Sequence, residues 1–599
     1  MASTLNSPSS LFTLPISSIQ TPFLPKTPEL GKKKPFNLVS KRAVSCKANN
    51  GKQNNDDSSS SLGSFDRRDV LLGLGSLYGA TNLVSDPFAL AAPIYAPDLS
   101  QCGDATVPLK KSPGTNVSVH CCPPISTNII DFKPPEFTKI RSRPAAHLVD
   151  AEYVEKFQEA IKRMKALDEK DPRNFTQQAK VHCAYCNSAY EQMGFPSQDL
   201  QIHNSWLFFP FHRLYLYFYE RILGKLIGDP DFALPFWNWD SPKGMTIPAI
   251  YADSTSSVYD AKRNASHQPP VLVDLDYSSD KNLSKEEMIK ANLCVMYRQM
   301  VKGSKTKTLF HGKEYRMGYA PDPGAGTIEN GIHLSVHKWV GDPTQPLKED
   351  MGNFYSAGYD PLFYAHHANL DRMWNLWKTK LPKQNTDFTD ADWLDSSFLF
   401  YDENANLVRV RVRDCIDSKN LGYDYQSVNI PWLESKPTPL AKSKLVAHRH
   451  SPGQAIAAEA NNIIATSTAF PIVLDKPVRV EVPRQKKTTV DDDEEEVLIL
   501  QNIQLDRDSS VKFDVCINIT DTDTPVGPGD SEFVGSYTNI PHGHHHQGSK
   551  LNTYLSFPIS DALEELELEN EAKIVVTLLP KEGEGLVSIG NIKIDRIRD

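Results

Sequence analysis

Apolar residues recur at intervals of three and four through the central part of the chain. In the stretch that begins at Asp150, these positions are Val154, Phe157, Ile161, Met164 and Leu167. This spacing puts side chains on one face of a helix, so the pattern predicts an amphipathic α-helix. Similar apolar and aromatic patterns predict further helices over residues 211–228, 333–341 and 360–381. The central part is therefore predicted to be mainly α-helical.

A pattern typical of strands dominates the last part of the chain. Beyond Asn462, short runs rich in β-branched residues alternate with turns, as in "FPIVLDKPVRVEVP" and "SVKFDVCINIT". Such runs predict an antiparallel β-sandwich as a separate domain. The segment "LAKSKLVAHRHSPGQAIAAEANN" has no steady period and is predicted to be a linker. The chain after its leader thus divides into residues 92–436, a linker over 437–462 and a sandwich over 463–599.

The first 91 residues have the composition of targeting segments. Residues 1–46 are rich in Ser, Thr and Pro and contain a single acid, Glu29, which indicates an organelle transit peptide. Arg67 and Arg68, an apolar stretch from Val70 and the small-residue site "ALAAP" indicate a twin-arginine export signal. In series, the two predict chloroplast import, passage through the twin-arginine export machinery and location in the thylakoid lumen. A disordered tail with a chance arginine pair is the alternative.

Composition and charge exclude two kinds of partner. The formal net charge is −9, which provides no basic surface for a phosphate backbone, so nucleic acid is not expected to bind. No uninterrupted apolar run reaches about 18 residues, so no integral membrane segment is expected. The hydrophobic fraction of 40% and the charged fraction of 23% are typical of a globular protein.

The cysteines are concentrated at the start of the mature chain. Of nine cysteines, five lie within 85 residues: Cys102, Cys121, Cys122, Cys183 and Cys186. In an exported protein this favours structural disulfides, although an odd number leaves one cysteine over. Cys183 and Cys186 form a Cys-x-x-Cys, but no second such pair follows and the haem-attachment order is absent. Zinc or redox exchange is therefore only weakly indicated.

A histidine in an apolar helix is most often a hydrogen-bonded core residue, but here histidines recur at the spacing of metal ligands. His333 and His337 are four residues apart and can offer two imidazoles to one ion. His367, in "DPLFYAHHANLD", can add a third from another helix. Asp371, four residues later, is expected to hold a ligand ring in place.

A second set of three histidines repeats this arrangement. It comprises His182, a loop-borne His203 and His212 at the start of a helix. Two sets of three imidazoles, without an obligate carboxylate or thiolate, suit two copper ions better than zinc or calcium. The tract "HGHHH" (His542–His546) is a further candidate for metal binding, but an exposed polar loop is the favoured interpretation.

The two signature segments around these histidines are "HNSWLFFPFHRLYLYFYE" (203–220) and "DPLFYAHHANLD" (360–371), and "PFWNWD", "DWL" and "KFDV" also occur along the chain. Together they resemble the plant polyphenol oxidases, or catechol oxidases, which are type 3 copper proteins like the tyrosinases and haemocyanins. The first segment is similar to the CuA signature and the second to the CuB signature. With the two-stage leader, the resemblance covers nearly the whole chain. It implies a mainly α type 3 copper domain, a helix bundle around a dicopper centre, followed by a C-terminal antiparallel β-sandwich.

The resemblance also implies the roles of individual residues. It makes His366 a packed neighbour rather than a ligand, and it joins Cys186 to His203 by a thioether. The implied disulfides are Cys102–Cys122 and Cys121–Cys183. The implied copper ligands are His182, His203 and His212 for CuA, and His333, His337 and His367 for CuB.

The activity implied by the resemblance is oxidation of o-diphenols to o-quinones with reduction of O₂ to water, in an enzyme that is latent until its C-terminal domain is removed or displaced. Phe354 corresponds to the bulky residue over CuA, and Glu329 to an acid that holds a water. Leu334 follows the first CuB histidine, where tyrosinases often have an Asn that helps to hold this water, and leucine cannot orient water. Lys338, after the second CuB histidine, either guides an acidic phenol or faces solvent. We therefore expect strong activity on o-diphenols and weak activity on monophenols.

Two other functions are compatible with part of the pattern. A haemocyanin-like oxygen carrier would use the same six histidines, but a plastid leader on a single-site chain argues against it. A zinc hydrolase would need a base beside an open zinc position, which the sequence does not indicate.

Overall fold

The amphipathic stretch after Asp150 is a helix in the structure, a computed structural model that describes residues 92–108, 116–278, 283–381, 385–440, 463–485, 494–519, 525–543 and 550–598. Helix α1 spans Ala151–Lys165, and the Asp150 side chain caps it by accepting a hydrogen bond from the Tyr153 N–H. Phe157, Ile161 and Met164 are buried on its inner face. The predicted amphipathic helix is therefore confirmed.

The two longest helices of the described residues form the centre of the helical region. Helix α3 spans Phe208–Ile227 and ends where Gly228 adopts the left-handed conformation. Helix α8 spans Pro361–Thr379, with Asp360 as its N-cap. The other helices are α2 Phe175–Cys186, α4 Ala249–Ala252, α5 Lys285–Tyr297, α6 Lys307–His311, α7 Leu334–Val340 and α9 Ala391–Asp395. The π-helical segment Arg298–Lys302 continues α5, and the π-helical segment Glu329–His333 precedes α7.

Small sheets fasten the N-terminal arm and the loops around these helices. Their strands are β1 Ala105–Pro108, β2 Asn116–Val119, β3 Ile129–Asp131, β4 Arg141–Arg143, β5 Glu191–Gln192, β6 Phe195–Asp199, β7 Ser397–Tyr401, β8 Leu407–Arg411 and β9 Tyr423–Tyr425. The arm strands β3 and β4 pair in parallel with β8 and β9, which lie almost 300 residues later in the chain. The arm is thereby held against the far end of the helical region.

The C-terminal part is a sandwich of two sheets. Its strands are β10 Ile463–Ala465, β11 Ile472–Val473, β12 Val478–Pro483, β13 Glu495–Asp506, β14 Val511–Ile517, β15 Phe533–Asn539, β16 Lys550–Pro558, β17 Lys573–Glu582 and β18 Ser588–Ile597. One sheet has the order β10-β12-β17-β14-β15 and the other β11-β18-β13-β16. All neighbours are antiparallel except β10 and β12, which are parallel. Two short helices, α10 Thr466–Ala469 and α11 Ser560–Glu565, accompany these strands.

Alternating side chains build the core between the two sheets. Val478, Val480 and Val482 of β12 point inwards and share one apolar cluster with Leu498 and Leu500 of the opposite sheet. Burial of each such side chain contributes about 1.5–3 kcal/mol. The predicted sandwich is thus confirmed, with the parallel β10–β12 pair as an exception to its antiparallel character.

The sandwich packs against the helical region, and both belong to one compact unit, Phe88–Asp599. Strand β15 contacts the π-helical segment Glu329–His333 and α7. The first residues of the predicted linker are also docked, because Thr438 pairs with Asp530 and the buried Leu440 donates its N–H to Glu532.

Some predicted features lie outside the described residues. These are the transit and twin-arginine segments of residues 1–91, linker residues 441–462 and His544–His546. Within the described ranges, no helix has the length and apolar character required to cross a membrane.

Candidate metal centre

The first histidine set converges from three different elements. His182 lies on α2, His203 on the loop before α3 and His212 in the second turn of α3. Their ring centroids are 5.6 Å apart for His182 and His203, 5.6 Å for His182 and His212, and 5.3 Å for His203 and His212. The structure therefore brings together the three residues that the sequence grouped.

The second set converges in the same way and faces the first. His333 ends the π-helical segment, His337 lies on α7 and His367 on α8, with centroids 4.7–5.5 Å apart. Across the two sets, the rings of His212 and His367 are 4.3 Å apart and those of His203 and His333 are 5.4 Å apart. All six imidazoles thus surround one small volume.

Backbone carbonyls orient four of these rings. The Nδ1 atoms of His182, His212, His333 and His337 lie 2.8–3.1 Å from the carbonyl oxygens of Phe354, Phe208, Glu329 and Met351, respectively. A proton on each Nδ1 leaves the Nε2 lone pair directed into the shared volume.

The Nε2 atoms have the environment expected of metal ligands. Those of His182, His203, His212 and His333 are buried without a hydrogen-bond partner among the described residues. The Nε2 atoms of His337 and His367 lie only 3.3 Å apart. An unpaired buried acceptor costs about 1–3 kcal/mol, so six converging lone pairs fit bound cations better than a protein core. Histidine sets without carboxylate or thiolate fit copper.

Burial keeps these imidazoles neutral. It lowers the pKa of His212 to about 3 and that of His337 to about 4. The pKa values of His182, His203, His333 and His367 are also held well below the ordinary range, chiefly by burial and further by the neighbouring imidazoles. Neutral imidazole is the form that binds a metal.

Aromatic rings enclose the histidine cluster. Phe363 lies 4.2 Å from His367 and 4.8 Å from His182 between ring centroids. Phe354 stacks nearly parallel on His203, with centroids 4.0 Å apart. These rings exclude water from the centre and lower its dielectric constant.

His366 also approaches the second set. Its ring is parallel to that of His333 with centroids 5.8 Å apart, and its Nδ1 accepts a hydrogen bond of 3.2 Å from the Trp239 Nε1. This bond to a core tryptophan orients the ring. His366 Nε2 is buried without a partner among the described residues, and His366 belongs to the cluster of possible ligand atoms with His333, His337 and His367, so its assignment as a packed neighbour stays a prediction.

The prediction that Asp371 holds a ligand ring is wrong. Its carboxylate accepts from the Arg213 guanidinium at 2.5 Å and from the Arg143 guanidinium at 3.3 Å. The hydroxyls of Tyr423 and Tyr425 also donate to it, at 2.6 and 2.5 Å. The Nδ1 of His367 has no partner among the described residues. Two guanidinium groups and two phenols occupy the carboxylate, so it does not hold the ring of His367.

Glu329 lies beside the first histidine set and is held by the residue after His203. Asn204 has a φ of 57°, and its N–H donates to Glu329 Oε1 at 2.6 Å. The side-chain amide of Asn204 donates a hydrogen bond to Asp322 Oδ1 at 3.0 Å. Burial raises the pKa of Glu329 well above its ordinary value, although the Asn204 N–H acts against the shift. Glu329 Oε2 is buried without a partner among the described residues.

The buried side chains of Leu334 and Phe354 form an apolar surface, which we call the cup. A segment of the sandwich covers this surface. Ile540 packs against both residues, and the Phe354 N–H donates to the Pro541 carbonyl at 3.3 Å. The His542 ring lies 5.3 Å from the Phe354 ring, and the Gly543 N–H donates to the Asn187 side chain. We call residues 540–543 the strap.

The strap was not predicted, and it corrects one interpretation. His542 is 1% exposed, so this residue is not part of an exposed polar loop. The His542 ring is buried because it lies between the Phe354 ring and the Arg507 guanidinium, which is 3.3 Å from His542 Nε2. The sequence signal was the apolar pair Ile540 and Pro541 just before the histidine tract.

Lys338 does not face solvent. Its side chain is 3% exposed and forms an ion pair with Glu582 of the sandwich at 2.5 Å. Burial lowers the pKa of Lys338 to about 8, although Glu582 opposes the shift. The alternative that Lys338 faces solvent is therefore wrong, because the sandwich packs onto this side of α7.

The disulfides pair as the resemblance implied. Disulfides join Cys102 to Cys122 and Cys121 to Cys183, so the arm is fastened beside His182. Cys186 is a buried free thiol, and its sulfur belongs to a cluster with the ligand atoms of His182, His203 and His212 within 4.8 Å of one another.

Family models match three successive parts of the chain. Residues 172–380 match the common central domain of tyrosinase. Residues 387–438 match the polyphenol oxidase middle domain, and residues 470–596 match the chloroplastic polyphenol oxidase C-terminal domain.

Whole-chain comparisons give the same picture. The chain is 57% identical over 563 residues to a chloroplastic polyphenol oxidase of Malus domestica, covering 92% of each chain. It resembles the solved structure of latent apple tyrosinase with a TM-score of 0.72 at 56% identity, over 78% of this chain and 100% of that one. It also resembles a latent aurone synthase with a TM-score of 0.77 at 43% identity, over 85% of this chain and 99% of that one.

Proposed function

This chain belongs to the chloroplastic polyphenol oxidases, which are tyrosinase-type copper oxidoreductases, and from that premise we propose that it is a catechol oxidase. Two o-diphenols and one O₂ would give two o-quinones and two waters. The observation that carries the proposal is the cluster of six buried imidazoles whose free nitrogens converge beside an apolar cup.

His182, His203 and His212 would hold one copper, and His333, His337 and His367 the other. When bound, the two copper ions supply the exchange of two electrons between the diphenol and O₂. The chain orients four of the six ligand rings through backbone carbonyls and keeps all six neutral by burial. Its aromatic wall keeps water away from the centre.

The cup supports a preference for o-diphenols. A phenol ring would lie against Phe354 and Leu334, which offer apolar surface. Glu329 Oε2, which is buried without a partner among the described residues, would accept a hydrogen bond from a water, but Leu334 could not help to orient that water for removal of a monophenol proton. Weak activity on monophenols is therefore expected beside strong activity on o-diphenols.

Cys186 and His203 are proposed to form a thioether. The support is that the Cys186 sulfur lies within 4.8 Å of the ligand nitrogens in a site without another free thiol among the described residues. A thioether would fix the His203 ring, whose two nitrogens lack hydrogen bonds to the described residues. Its formation would replace the Cys186 S–H and a ring C–H by one C–S bond, and the two electrons and two protons would pass to O₂, the oxidant of the proposed reaction. Mass spectrometry of the copper-loaded protein would show a loss of two hydrogens from the linked peptides, whereas two unlinked peptides would exclude the bond.

Latency is proposed to result from the strap. Ile540 occupies the cup that a phenol ring needs, and Pro541 and Gly543 fasten the strap to Phe354 and Asn187. Two of the solved relatives bear the word latent in their names. Removal or displacement of the sandwich would open the cup.

The location is proposed to be the thylakoid lumen. The Malus relative is named chloroplastic, and Arg67 and Arg68 provide the twin-arginine pattern for a second transport step. Fractionation of chloroplasts that import the tagged full chain tests this, and recovery in the stroma would contradict it.

The decisive experiment measures copper content and O₂ uptake with 4-methylcatechol after proteolytic cleavage of the full chain. We expect copper in the protein and one O₂ consumed for every two molecules of quinone formed. Reversible O₂ binding without quinone would indicate an oxygen carrier, and zinc in place of copper would indicate a hydrolase.

A further inference from the structure

A glutamine side chain connects the two residues for which a thioether is proposed. Gln201 Nε2 donates a hydrogen bond to the Cys186 carbonyl at 3.2 Å, and Gln201 Oε1 accepts one from the His203 N–H at 3.1 Å. The same oxygen accepts from the Ile202 N–H at 2.9 Å, and Nε2 lies 3.5 Å from Ser188 Oγ. One amide therefore links the backbone of the thiol residue to the backbone of the imidazole residue.

Helix α2 ends in a carbonyl that needs such a donor. Cys186 is the last residue of α2, and the last carbonyl groups of a helix have no N–H partner within that helix. Gln201 and Cys186 are both fully buried, so water does not replace the bond between them. Loss of the amide would leave buried polar groups unpaired on both sides, which favours the bridged arrangement.

The bridge acts on a ligand whose ring has no hydrogen bond of its own. Both ring nitrogens of His203 are buried without a partner among the described residues, whereas His182 and His212 each have a backbone carbonyl beside Nδ1. The Phe354 ring stacks on the His203 ring, but a stack supplies no directed bond. The position of the His203 ring therefore depends on its backbone, which Gln201 holds.

We propose that Gln201 is a positioning residue for the thioether, because it holds the Cys186 sulfur beside the His203 ring while the C–S bond forms. This inference rests on the thioether proposed above. The S–H and one ring C–H would give one C–S bond, and the two protons and two electrons would convert O₂ to hydrogen peroxide, while the amide stays unchanged. The Cys186 sulfur lies within 4.8 Å of a His203 ring nitrogen. A displacement of about 1 Å between reacting groups can slow a reaction about a hundredfold.

The test measures how fast the two peptides become linked. The full chain is prepared without copper and then supplied with copper ions and O₂. Samples are quenched at intervals and digested, and mass spectrometry gives the linked fraction for each copper-loaded chain. Gln201→Met keeps a side chain of similar length but removes both hydrogen bonds. We expect this variant to link at least about ten times more slowly than the unsubstituted protein.

A second buried glutamine provides the matched control. Gln192 is 3% exposed, and its amide bridges the Tyr315 hydroxyl and the Gly318 N–H. Gln192→Met should therefore lose stability in the same way but link at the unsubstituted rate. Gln201→Asn keeps the amide but is one methylene shorter, so it cannot reach both partners and should also link slowly. This variant provides the measurement if Gln201→Met does not fold.

The possible failures are distinct. If the unsubstituted protein links and the folded Gln201 variants link equally fast, the positioning role is refuted while the thioether stands. If Gln192→Met slows linking as much as Gln201→Met does, general destabilisation explains both and the positioning role is again refuted. If the unsubstituted, copper-loaded protein gives only unlinked peptides, the proposed thioether fails and this inference fails with it.

Discussion

A buried histidine in this chain is not necessarily a ligand, and its neighbours decide its role. His311 is fully buried, but its Nε2 lies 3.0 Å from Asp387 and aromatic rings surround it. His366 binds Trp239. His337 and His367, in contrast, direct their Nε2 atoms at each other at 3.3 Å, an arrangement that a shared cation stabilises.

Substitution of His367 should therefore affect copper far more than substitution of its neighbour. We expect His367→Ala to reduce the copper content to about one ion per chain, since an ion with two imidazoles is under-coordinated. His366→Ala should retain most of the metal. Atomic absorption of the purified variants measures this, and the opposite ranking would refute the ligand assignment.

Leu334 should limit activity on monophenols. An asparagine at this position could hydrogen-bond a water next to Glu329, which leucine cannot do. We expect Leu334→Asn to raise the ratio of tyramine to dopamine turnover severalfold in the activated enzyme. Leu334→Met, which keeps the apolar surface, is the control. Comparable tyramine and dopamine turnover in the unsubstituted enzyme would contradict the expected preference for o-diphenols.

Among the structural elements, we expect the strap to have the largest effect on access to the cup. Its contacts are few: Ile540 on Leu334 and Phe354, and backbone bonds at Pro541 and Gly543. Such a short segment can leave the cup if its apolar anchor is weakened.

Ile540→Ala should activate the uncleaved chain. A loss of about 1.4 kcal/mol of strap contact would raise the open fraction about tenfold. Activity of the uncleaved chain on 4-methylcatechol measures the effect. Ile464→Ala, at a 40% exposed position of β10, is the matched control. An uncleaved Ile540→Ala chain as inactive as the unsubstituted one would show that the strap does not limit access.

For the whole molecule, the proposed latency depends on the contact between the helical region and the sandwich. Ion pairs are a large part of this contact, including Arg507 with Asp322 at 2.5 Å and Lys305 with Glu495 and Asp561 at 2.9 and 2.7 Å.

Cleavage between residues 441 and 462 should raise activity, because the sandwich is then no longer tethered over the cup. Oxidation of 4-methylcatechol before and after limited proteolysis measures the increase. If the separated, copper-loaded catalytic part is no more active than the full chain, shielding by the sandwich is not the cause of latency.

Acidification should weaken the same contact. Burial acts to raise the pKa of Glu582, but Lys338 and Lys348 outweigh it and hold this pKa well below its ordinary value. A depressed carboxyl pKa contributes stability that is present above the unfolded value of about 4.3 and is lost as the pH falls towards the folded value. We therefore expect the activity of the uncleaved chain, relative to the cleaved chain at the same pH, to rise below about pH 4.3.

Glu582→Gln provides the control for this pH dependence. This variant lacks the titrating carboxyl, so its relative activity should already be higher near neutral pH and should change less on acidification. An identical pH profile in both proteins would exclude Glu582 from the effect.

The sequence by itself determined the features that depend on neighbouring residues. The interval of three and four from Val154 to Met164 set the face of α1, and alternation in β12 set the face of the sandwich strand, because backbone geometry fixes both periods. The four-residue interval between His333 and His337 placed two imidazoles together for the same reason. The motifs around the histidines identify the family from the linear sequence.

The tertiary structure alone decided which distant residues meet. Asp371 lies one helical turn from His367, yet guanidinium groups from residues 143 and 213 and phenols from residues 423 and 425 bind it. Lys338 and Glu582 are 244 positions apart, and Ile540 is about 200 positions from the cup that it fills. Local periodicity cannot indicate such pairs, because they depend on how the sandwich docks on the helices, which is determined by packing and charge over the whole chain.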